Sequence, residues 1–479
     1  MDSSSSYAGL GVTFGIELEM VVPYLYSEQP DPAEGMDTRQ VIRLSRKGMG
    51  LKSNSSTPVD RVGNILREFL RSHGVSMYDD DLQGIGTQAS PPTAWFIGED
   101  YTVGESLFAP YKWAGMELRS PALLADDPNS FAEIKRVVSL LKTSFRLRVN
   151  ETTGFHVHVG LGTQRLPPLA VLRLTQFLWC ADGTLSQMHP PDRMLAGAFC
   201  PSIRQDSYLA RREQRYWPET EDFTLGDGPD ITFTNQVSEA LIDRLLVLRE
   251  NPTSFPALDS WSGPSRLRRF PPIRPDAYKD EGTQRRYRII TGRELTRRRF
   301  RRLDELTRMP VLDGLLVLSG PELYANAARA VAKLSIDTGE RANYNFKAYG
   351  ARDIDVAGRR MTVEFREAAG SLDPAWVAVW AKIASRIVEF CLEAEEDEFS
   401  DVLMRVLQAE LAFEANGGVS RYDVVDLLTD LSLEDEAIFV EESILMEDKY
   451  LFWFPCALGK NQKDDHPGAT VMVPTEYGN

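Results

Sequence analysis

A chain of 479 residues with 43% hydrophobic content has room for one large α/β domain or for two or three smaller ones, and ample apolar side chains for a core. Its formal charge of −16 argues against a general nucleic-acid or anionic-membrane binder, since both need a positive surface, and solubility is the plain explanation of it. Four cysteines (Cys180, Cys200, Cys391, Cys456) show no metal or disulfide spacing, the N-terminus lacks a basic and apolar leader, and no stretch reaches about 18 uncharged apolar residues, so a reducing, cytoplasmic setting is expected.

Residues 1 to about 10 read as a disordered start, and Gly11 to Val22 as the first strand. Tyr24 to Pro58, rich in Pro, Ser, Gly and charge, reads as a long loop or insertion, either a surface excursion or a lid. Val62, Ile65, Leu66, Phe69 and Leu70 recur at helical spacing between Asp60 and Ser72; Gly74 stops that helix before a short strand, Val75 to Tyr78. Thr93 to Gly98 and Trp113 to Arg119 are the next strands, separated by an acidic loop, Glu99 to Glu105. Asp126 or Asp127 caps a helix with Phe131, Ile134, Val137, Val138 and Leu141 on one face, leading to the strand Phe155 to Val159. A helix from Pro167 to Met188 follows.

From about 190 to 310 the pattern weakens and predicts an inserted region with one helix, Val237 to Leu248. Between Arg266 and Arg302 it carries 14 Lys/Arg against 4 Asp/Glu, which leaves the rest of the chain near −26. That basic run is either a solvated, salt-bridged face or a funnel for an anionic substrate or nucleotide; the acidic remainder speaks against nucleic acid. Helices are predicted at Val311 to Leu318 and Glu322 to Lys333, and paired strands at Tyr344 to Ala348 and Met361 to Glu367, joined by an excursion through Asp353 and Gly358. Asp373 and Pro374 start the longest helix, Trp376 to Glu393. Five acids between 393 and 398 read as a solvated bend or helix end. Further helix is expected at 400 to 412 and 421 to 432, with Phe452-Trp453-Phe454 docking back. The division so drawn is a catalytic domain at 11–390, with insertions at about 24–58 and 190–310, and a helical extension at 391–479.

The chemistry lies in the strands. In Phe14-Gly15-Ile16-Glu17-Leu18-Glu19-Met20 the period of two puts both carboxylates on one face and Ile16, Leu18 and Met20 on the other. Two like charges on a buried face are costly unless a cation or strong donors sit between them. Met116-Glu117-Leu118-Arg119 and Val363-Glu364-Phe365-Arg366 repeat the design, and Phe155-His156-Val157-His158-Val159 repeats it with two of the five histidines. Each pattern alone fits an amphipathic strand or a cross-strand ion pair. Together they offer oxygen-rich ligands suited to Mg²⁺ or Mn²⁺ and a poor fit to structural zinc, with arginines nearby for phosphate, which points to metal-dependent phosphoryl transfer.

This ordered series, with Gly115 before Met116, Ser120-Pro121 after Arg119, Thr153-Gly154 before Phe155, Thr362 before Val363, and Leu372-Asp373 at its end, resembles the amidoligases of the carboxylate-amine ligase superfamily, which includes glutamine synthetase and glutamate-cysteine ligase. The resemblance implies an α+β fold: a curved antiparallel sheet with helices packed behind it, binding ATP and two or more Mg²⁺ ions (Mn²⁺ as a substitute) in the concave face. It implies that Glu17, Glu19, Glu117, His156 and Glu364 ligate metal, with His156 also at the phosphate site. His158 stands toward the nucleotide, Arg366 steadies the transferred phosphate, and Arg119, Arg341, Asn345 and Lys347 stand near nucleotide phosphates. Asp100 falls near a family aspartate followed by Gly and Ser, but here Tyr101 and Thr102 follow, so no role carries over. The implied reaction joins a small-molecule carboxylate and an amine through an acyl phosphate. A phosphotransferase acting on a guanidino or other nitrogen, a non-catalytic nucleotide- or partner-binding relative, and a zinc hydrolase built on His156 and His158 are the alternatives. The substrates, the general base and the oligomeric state are not encoded in any pattern of the sequence.

Overall fold

A computed structural model describes residues 11–46, 57–78, 93–105, 109–150, 152–189, 193, 200–211, 236–252, 254–260, 309–320, 327–336, 341–349, 361–415 and 420–443. The described residues group into two compact units, one drawn from Thr13–His158 and Ala368–Lys382, the other from Val159–Glu367 and Ile383–Glu447.

The first unit is an open sheet with helices on its apolar face. Alternation builds β1 (Thr13–Tyr26): Phe14, Ile16, Leu18 and Met20 are buried, while Glu17 and Glu19 point the other way. Beyond Met20 the strand is buried on both faces, so it runs four residues past its predicted end. Next come β2 (Ile42–Leu44), α1 (Pro58–Ser72), β3 (Phe96–Glu99), β4 (Lys112–Arg119), β5 (Leu123–Leu124), α2 (Pro128–Ser144) and β6 (Phe155–Gly160). The strand order is β3-β4-β1-β6; β3 and β1 both run antiparallel to β4, and β2 and β5 pair with the two ends of β1. Thr57 caps α1 in a reciprocal capping box with Asp60, and Asp127 caps α2. Phe131 of α2 stacks on Phe14 at 5.0 Å, and Val62, Leu66 and Leu70 of α1 are buried. With helices covering that face, the carboxylates of β1 and β4 are left on the opposite one.

The segment after Tyr24 is more ordered than its composition predicts. Its strand β2 lies parallel to β1, and Asp31 and Asp37 receive the buried Arg146 guanidinium at 2.8 and 3.7 Å, with the Tyr111 hydroxyl also on Asp31 at 2.6 Å. Conversely, Val75 to Tyr78 makes only an isolated parallel bridge, Met77 to Trp95.

In the second unit, α3 (Pro168–Leu185) is buried almost all round, the mark of a central core helix. The indole of Trp179 donates to the Val311 carbonyl at 2.9 Å and the Thr184 hydroxyl to Glu410 at 2.9 Å, tying α3 to the helices Val311–Leu318 and Glu396–Ala415. A short antiparallel pair, β7 (Tyr344–Asn345) and β8 (Thr362–Phe365), completes the unit's strands. The strand predicted to reach Ala348 stops at Asn345, where Lys347–Tyr349 turns into a 3-10 helix. The five acids at 393–398 are also not a bend alone: Glu396, Asp397 and Glu398 form the first turn of Glu396–Ala415, where negative charge suits the positive end of the helix dipole. The basic run 266–302, the excursion around Asp353 and Gly358, and Phe452–Phe454 lie outside the described residues. The fold is of the expected α+β class, with an open and mainly antiparallel sheet. Among the described residues, no helix is long and apolar enough to cross a membrane.

A polar network lies inside this second unit. Asp182 of α3 accepts from Asn343 and from the Ser202 hydroxyl at 2.6 Å, Asn343 accepts the Ile203 amide at 3.0 Å, and the Asn343 carbonyl accepts the Arg366 amide at 2.7 Å. Glu367 accepts from Ser186 and from the Tyr344 hydroxyl at 2.8 Å, and His189 stands 4.0 Å away. Burial and the charge of Asp182 push the Glu367 carboxyl up to about 8, while burial and Arg193 push His189 down to about 3. Between its ordinary value of 4.5 and about 8 the folded chain therefore holds a proton on Glu367 that the unfolded chain has lost. The stability this group contributes is full below that window and is lost as pH rises through it. Glu367→Gln, which cannot ionise, is expected to flatten the fall in urea midpoint between pH 5 and 8.5 relative to the unsubstituted protein; parallel curves would show that Glu367 titrates normally.

Candidate metal and anion site

Register brings the charges of the first unit together. In the β1–β4 ladder Glu17 stands opposite Arg119, and Glu19 opposite Glu117. Two carboxylates directly across a ladder repel, and here Glu19 and Glu117 are both buried. Arg119 answers part of that charge: its Nη2 pairs with Glu117 and its Nε lies 3.5 Å from Glu17. The same Nε is buried and has no hydrogen-bond partner.

Strand β6 supplies the imidazoles. His156 Nδ1 is 3.6 Å from Glu17 and its Nε2 is 3.8 Å from Glu19, while His158 Nε2 is 3.4 Å from Glu17. Both rings belong to one face because they are two residues apart. Gly154 locks the junction: Glu19 donates its amide to the Gly154 carbonyl at 3.0 Å, and Gly154 donates its own amide to the Glu19 carboxylate at 2.6 Å. A Cβ on Gly154 would stand 2.8 Å from His156 Nε2 and 3.2 Å from Glu19 Oε2, so a side chain there would force the His156 ring to shift.

Asp100 completes the acidic wall. Its amide bonds to the Gly115 carbonyl at 3.0 Å, and its carboxylate accepts the Thr102 amide at 2.7 Å and hydroxyl at 2.6 Å. The far end of this loop is held by Glu105 on Arg148 at 2.8 Å and by the Gly104 carbonyl, which accepts from Asn150 at 2.8 Å. The loop lies so close to β4 that a Cβ on Gly115 would fall 2.3 Å from the Val103 carbonyl oxygen and 2.5 Å from that of Asp100. Among the described residues of the first unit two sets of ligand atoms result, each with all atoms within 4.8 Å of one another: Glu17, Glu117 and His156, and Glu19, Asp100 and Glu117. Glu117 belongs to both.

The electrostatics of the cluster are those of a site short of positive charge. Burial alone would raise the Glu17 carboxyl, but His158, His156 and Arg119 outweigh it and hold it well below its ordinary range. Burial pushes Glu117 up to about 8, with the charges of Glu17 and Glu19 adding to it against the pull of Arg119. A buried carboxylate raised by two neighbouring carboxylates is one whose ionised form a divalent cation would favour. Carboxylate oxygens, with one borderline imidazole in one of the two sets, form a mainly oxygen donor set, fitted to Mg²⁺ or Mn²⁺. The Arg119 Nε, 3.5 Å from Glu17, forms no hydrogen bond there.

The second unit holds its own charged group on β7 and β8. Asn345 donates to Glu364 at 2.7 Å, Arg366 pairs with the other oxygen of Glu364, and Arg341 reaches it at 3.8 Å. Glu364 is buried, whereas Arg341 is exposed. Lys347, expected beside them on the strand, sits exposed on the 3-10 turn, and its amide donates to the Asn345 side chain at 3.0 Å. Glu17, Glu19, Glu117, Arg119, His156 and His158 are thus brought together within the first unit, and Glu364, Arg366, Asn345 and Arg341 within the second. The patterns did not find Asp100's place beside Glu19 and Glu117, because it depends on the missing side chain of Gly115. They also passed over Glu367, although it shares the alternation of Val363 and Phe365.

With this geometry established, comparison with known families shows that residues 11–225 match a family model described as "Putative amidoligase enzyme". The match spans β1 to β6, and so the whole first-unit cluster, but under half of the chain; Glu364 and Arg366 fall outside it. It supports the amidoligase family, and with it an enzyme that forms amide bonds. Comparison with curated proteins and with solved structures finds no match.

The tight approach at Gly115 can be tested directly. Its neighbours are backbone oxygens, which cannot swing aside, so Gly115→Ala is expected to destabilise the protein by about 1–3 kcal/mol in urea unfolding. A change within about 0.5 kcal/mol, the scatter of an ordinary surface substitution, would show that the Asp100 loop is free to shift.

Proposed function

We propose that the protein is an ATP- and Mg²⁺-dependent carboxylate-amine ligase with the catalytic fold of the glutamine synthetase type, forming an amide through an acyl phosphate. One observation carries the reading: Glu17, Glu19, Glu117, Asp100 and His156 form two adjoining sets of hard ligands that share Glu117, beside an arginine with an unmatched donor. Paired cations beside an anion-seeking guanidinium are the equipment for handling nucleotide phosphates. The family match over the same strands points to amide formation as the use made of it.

In this reading Glu17, Glu117 and His156 hold one divalent ion and Glu19, Asp100 and Glu117 another. Such ions, when bound, neutralise charge on the phosphoryl oxygens and make the terminal phosphorus of ATP more electrophilic. Arg119 offers its free N–H to a phosphate oxygen, and His158 borders the same face toward the nucleotide. Arg366 is assigned to the transferred phosphoryl group and Glu364 to a further cation, with Arg341, Asn345 and Lys347 toward phosphates, all by resemblance. A substrate carboxylate oxygen attacks the γ-phosphorus, the bond to ADP breaks, and the acyl phosphate is left. An amine nitrogen then attacks the acyl carbon, inorganic phosphate departs, and the proton lost by nitrogen passes to a base.

The test is a screen of amino acids and carboxylic acids, each with an amine, for Mg²⁺-dependent release of ADP and free phosphate. Glu17→Gln and Arg366→Ala are each expected to lower turnover at least about 100-fold, the usual cost of removing a preorganised charge from a reacting site, with unchanged circular dichroism. Near-normal turnover in Glu17→Gln would sink the reading, and a stable phosphorylated acceptor in place of free phosphate would make the protein a kinase.

A further inference from the structure

We infer that Arg119 is a built-in placeholder for a divalent cation: in the metal-free protein its guanidinium neutralises Glu17 and Glu117, and cation binding displaces it from them. The inference rests on the proposed metal site and goes beyond it, because it concerns how that site is kept folded and how it opens.

Glu19 and Glu117 face each other across the ladder with Glu17 on the same face, so the bare strands carry three carboxylates in one patch. Two imidazoles reach Glu17 and one of them also reaches Glu19, but neither forms an ion pair with Glu117 among the described residues. Arg119 is the residue that does so, while also lying 3.5 Å from Glu17. These are the two carboxylates that, with His156, make up one of the two sets of ligand atoms. A guanidinium and a divalent ion cannot both sit against those oxygens, since their charges repel at close range and the lone pairs are shared.

The side chain is also built to leave. It is 38% exposed, its Nε makes no hydrogen bond in the paired state, and only the Nη2 end is anchored to Glu117. On its other side its Cζ lies 5.7 Å from the centre of the Phe96 ring, and Phe96 is its register partner across β3–β4. An arginine stacked on an aromatic face retains favourable contacts without a carboxylate. Released from Glu117, the guanidinium stays beside the cation with all of its donors free. Cation entry would then prepare an anion-binding group next to itself, and the two ligands would favour each other's binding.

The test needs no substrate. Binding of Mn²⁺ alone to the full chain is measured by calorimetry for the unsubstituted protein, Arg119→Gln and Arg119→Lys, together with the melting temperature of each without metal. Removing a competing charge is expected to tighten Mn²⁺ binding by roughly ten-fold in Arg119→Gln, the scale of a typical coupling between ligands, and to lower its metal-free melting temperature. Arg119→Lys, which keeps the charge, should stay near the unsubstituted value. In the unsubstituted protein, the Arg119 Nε resonance, assigned by its loss in Arg119→Lys, should shift on saturation with Mg²⁺. Unchanged or weaker Mn²⁺ binding in Arg119→Gln, or an unmoved resonance on saturation, overturns the placeholder and leaves the metal site intact. If the unsubstituted protein binds no divalent ion but Arg119→Gln does, the placeholder is supported; if neither binds, both it and the metal site fall. Should Arg119→Gln not fold, the resonance decides alone.

Discussion

The repulsion between Glu19 and Glu117, set face to face in a buried ladder, is the constraint to which the rest of the first unit answers. Nothing about packing asks for it, since Leu or Val at either position would be stabilising in a core strand. The structure surrounds the pair with compensation instead: a guanidinium from the same strand as Glu117, imidazoles from the neighbouring strand, a backbone amide from Gly154. The helices α1 and α2 pack on the other face of the sheet, where Phe14, Ile16 and Leu18 need cover. Charge concentrated at such expense of stability is a common mark of a functional site.

The two units solve the problem of buried charge differently. In the first, carboxylates are only partly answered by cationic partners, Arg119 and the two imidazoles. In the second, Asp182 and Glu367 are taken deep inside and satisfied by neutral donors, the hydroxyls of Ser202, Ser186 and Tyr344 and the amide of Asn343. Burial and the charge of Asp182 keep a proton on Glu367 in spite of those hydrogen bonds. This network fixes the backbone immediately around Arg366 through the Asn343 carbonyl. It acts as scaffold for the strand that carries Glu364 and Arg366.

What the sequence revealed and what it hid have physical causes. The acidic strands were legible because a period of two is local: Glu17 and Glu19 must share a face wherever the strand lies. The helix Pro374–Glu393 and its Asp373 cap were legible for the same reason, the cap bonding two amides at 2.8 and 3.1 Å. The end of β1 was hidden because Val21 to Leu25 is apolar on both faces and carries no alternation. The order in 24–46 was hidden because its anchors, Asp31 and Asp37, meet Arg146 more than a hundred residues away. Asp100 was hidden because its position is decided by an atom that Gly115 lacks, and an absent side chain leaves no periodic trace.

The double bond between Glu19 and Gly154 has a consequence for the energetics of the whole cluster. One bond belongs to the backbone and the other to the carboxylate, so the ligand and the strand junction share a single pair of residues. The carboxylate cannot turn away without loosening the junction, and the junction cannot open without freeing the carboxylate. The orientation of the carboxylate and local opening are therefore linked in one equilibrium. A ligand that held the Glu19 carboxylate in this orientation would slow exchange of the Gly154 amide with solvent, and one that drew the carboxylate away would speed it.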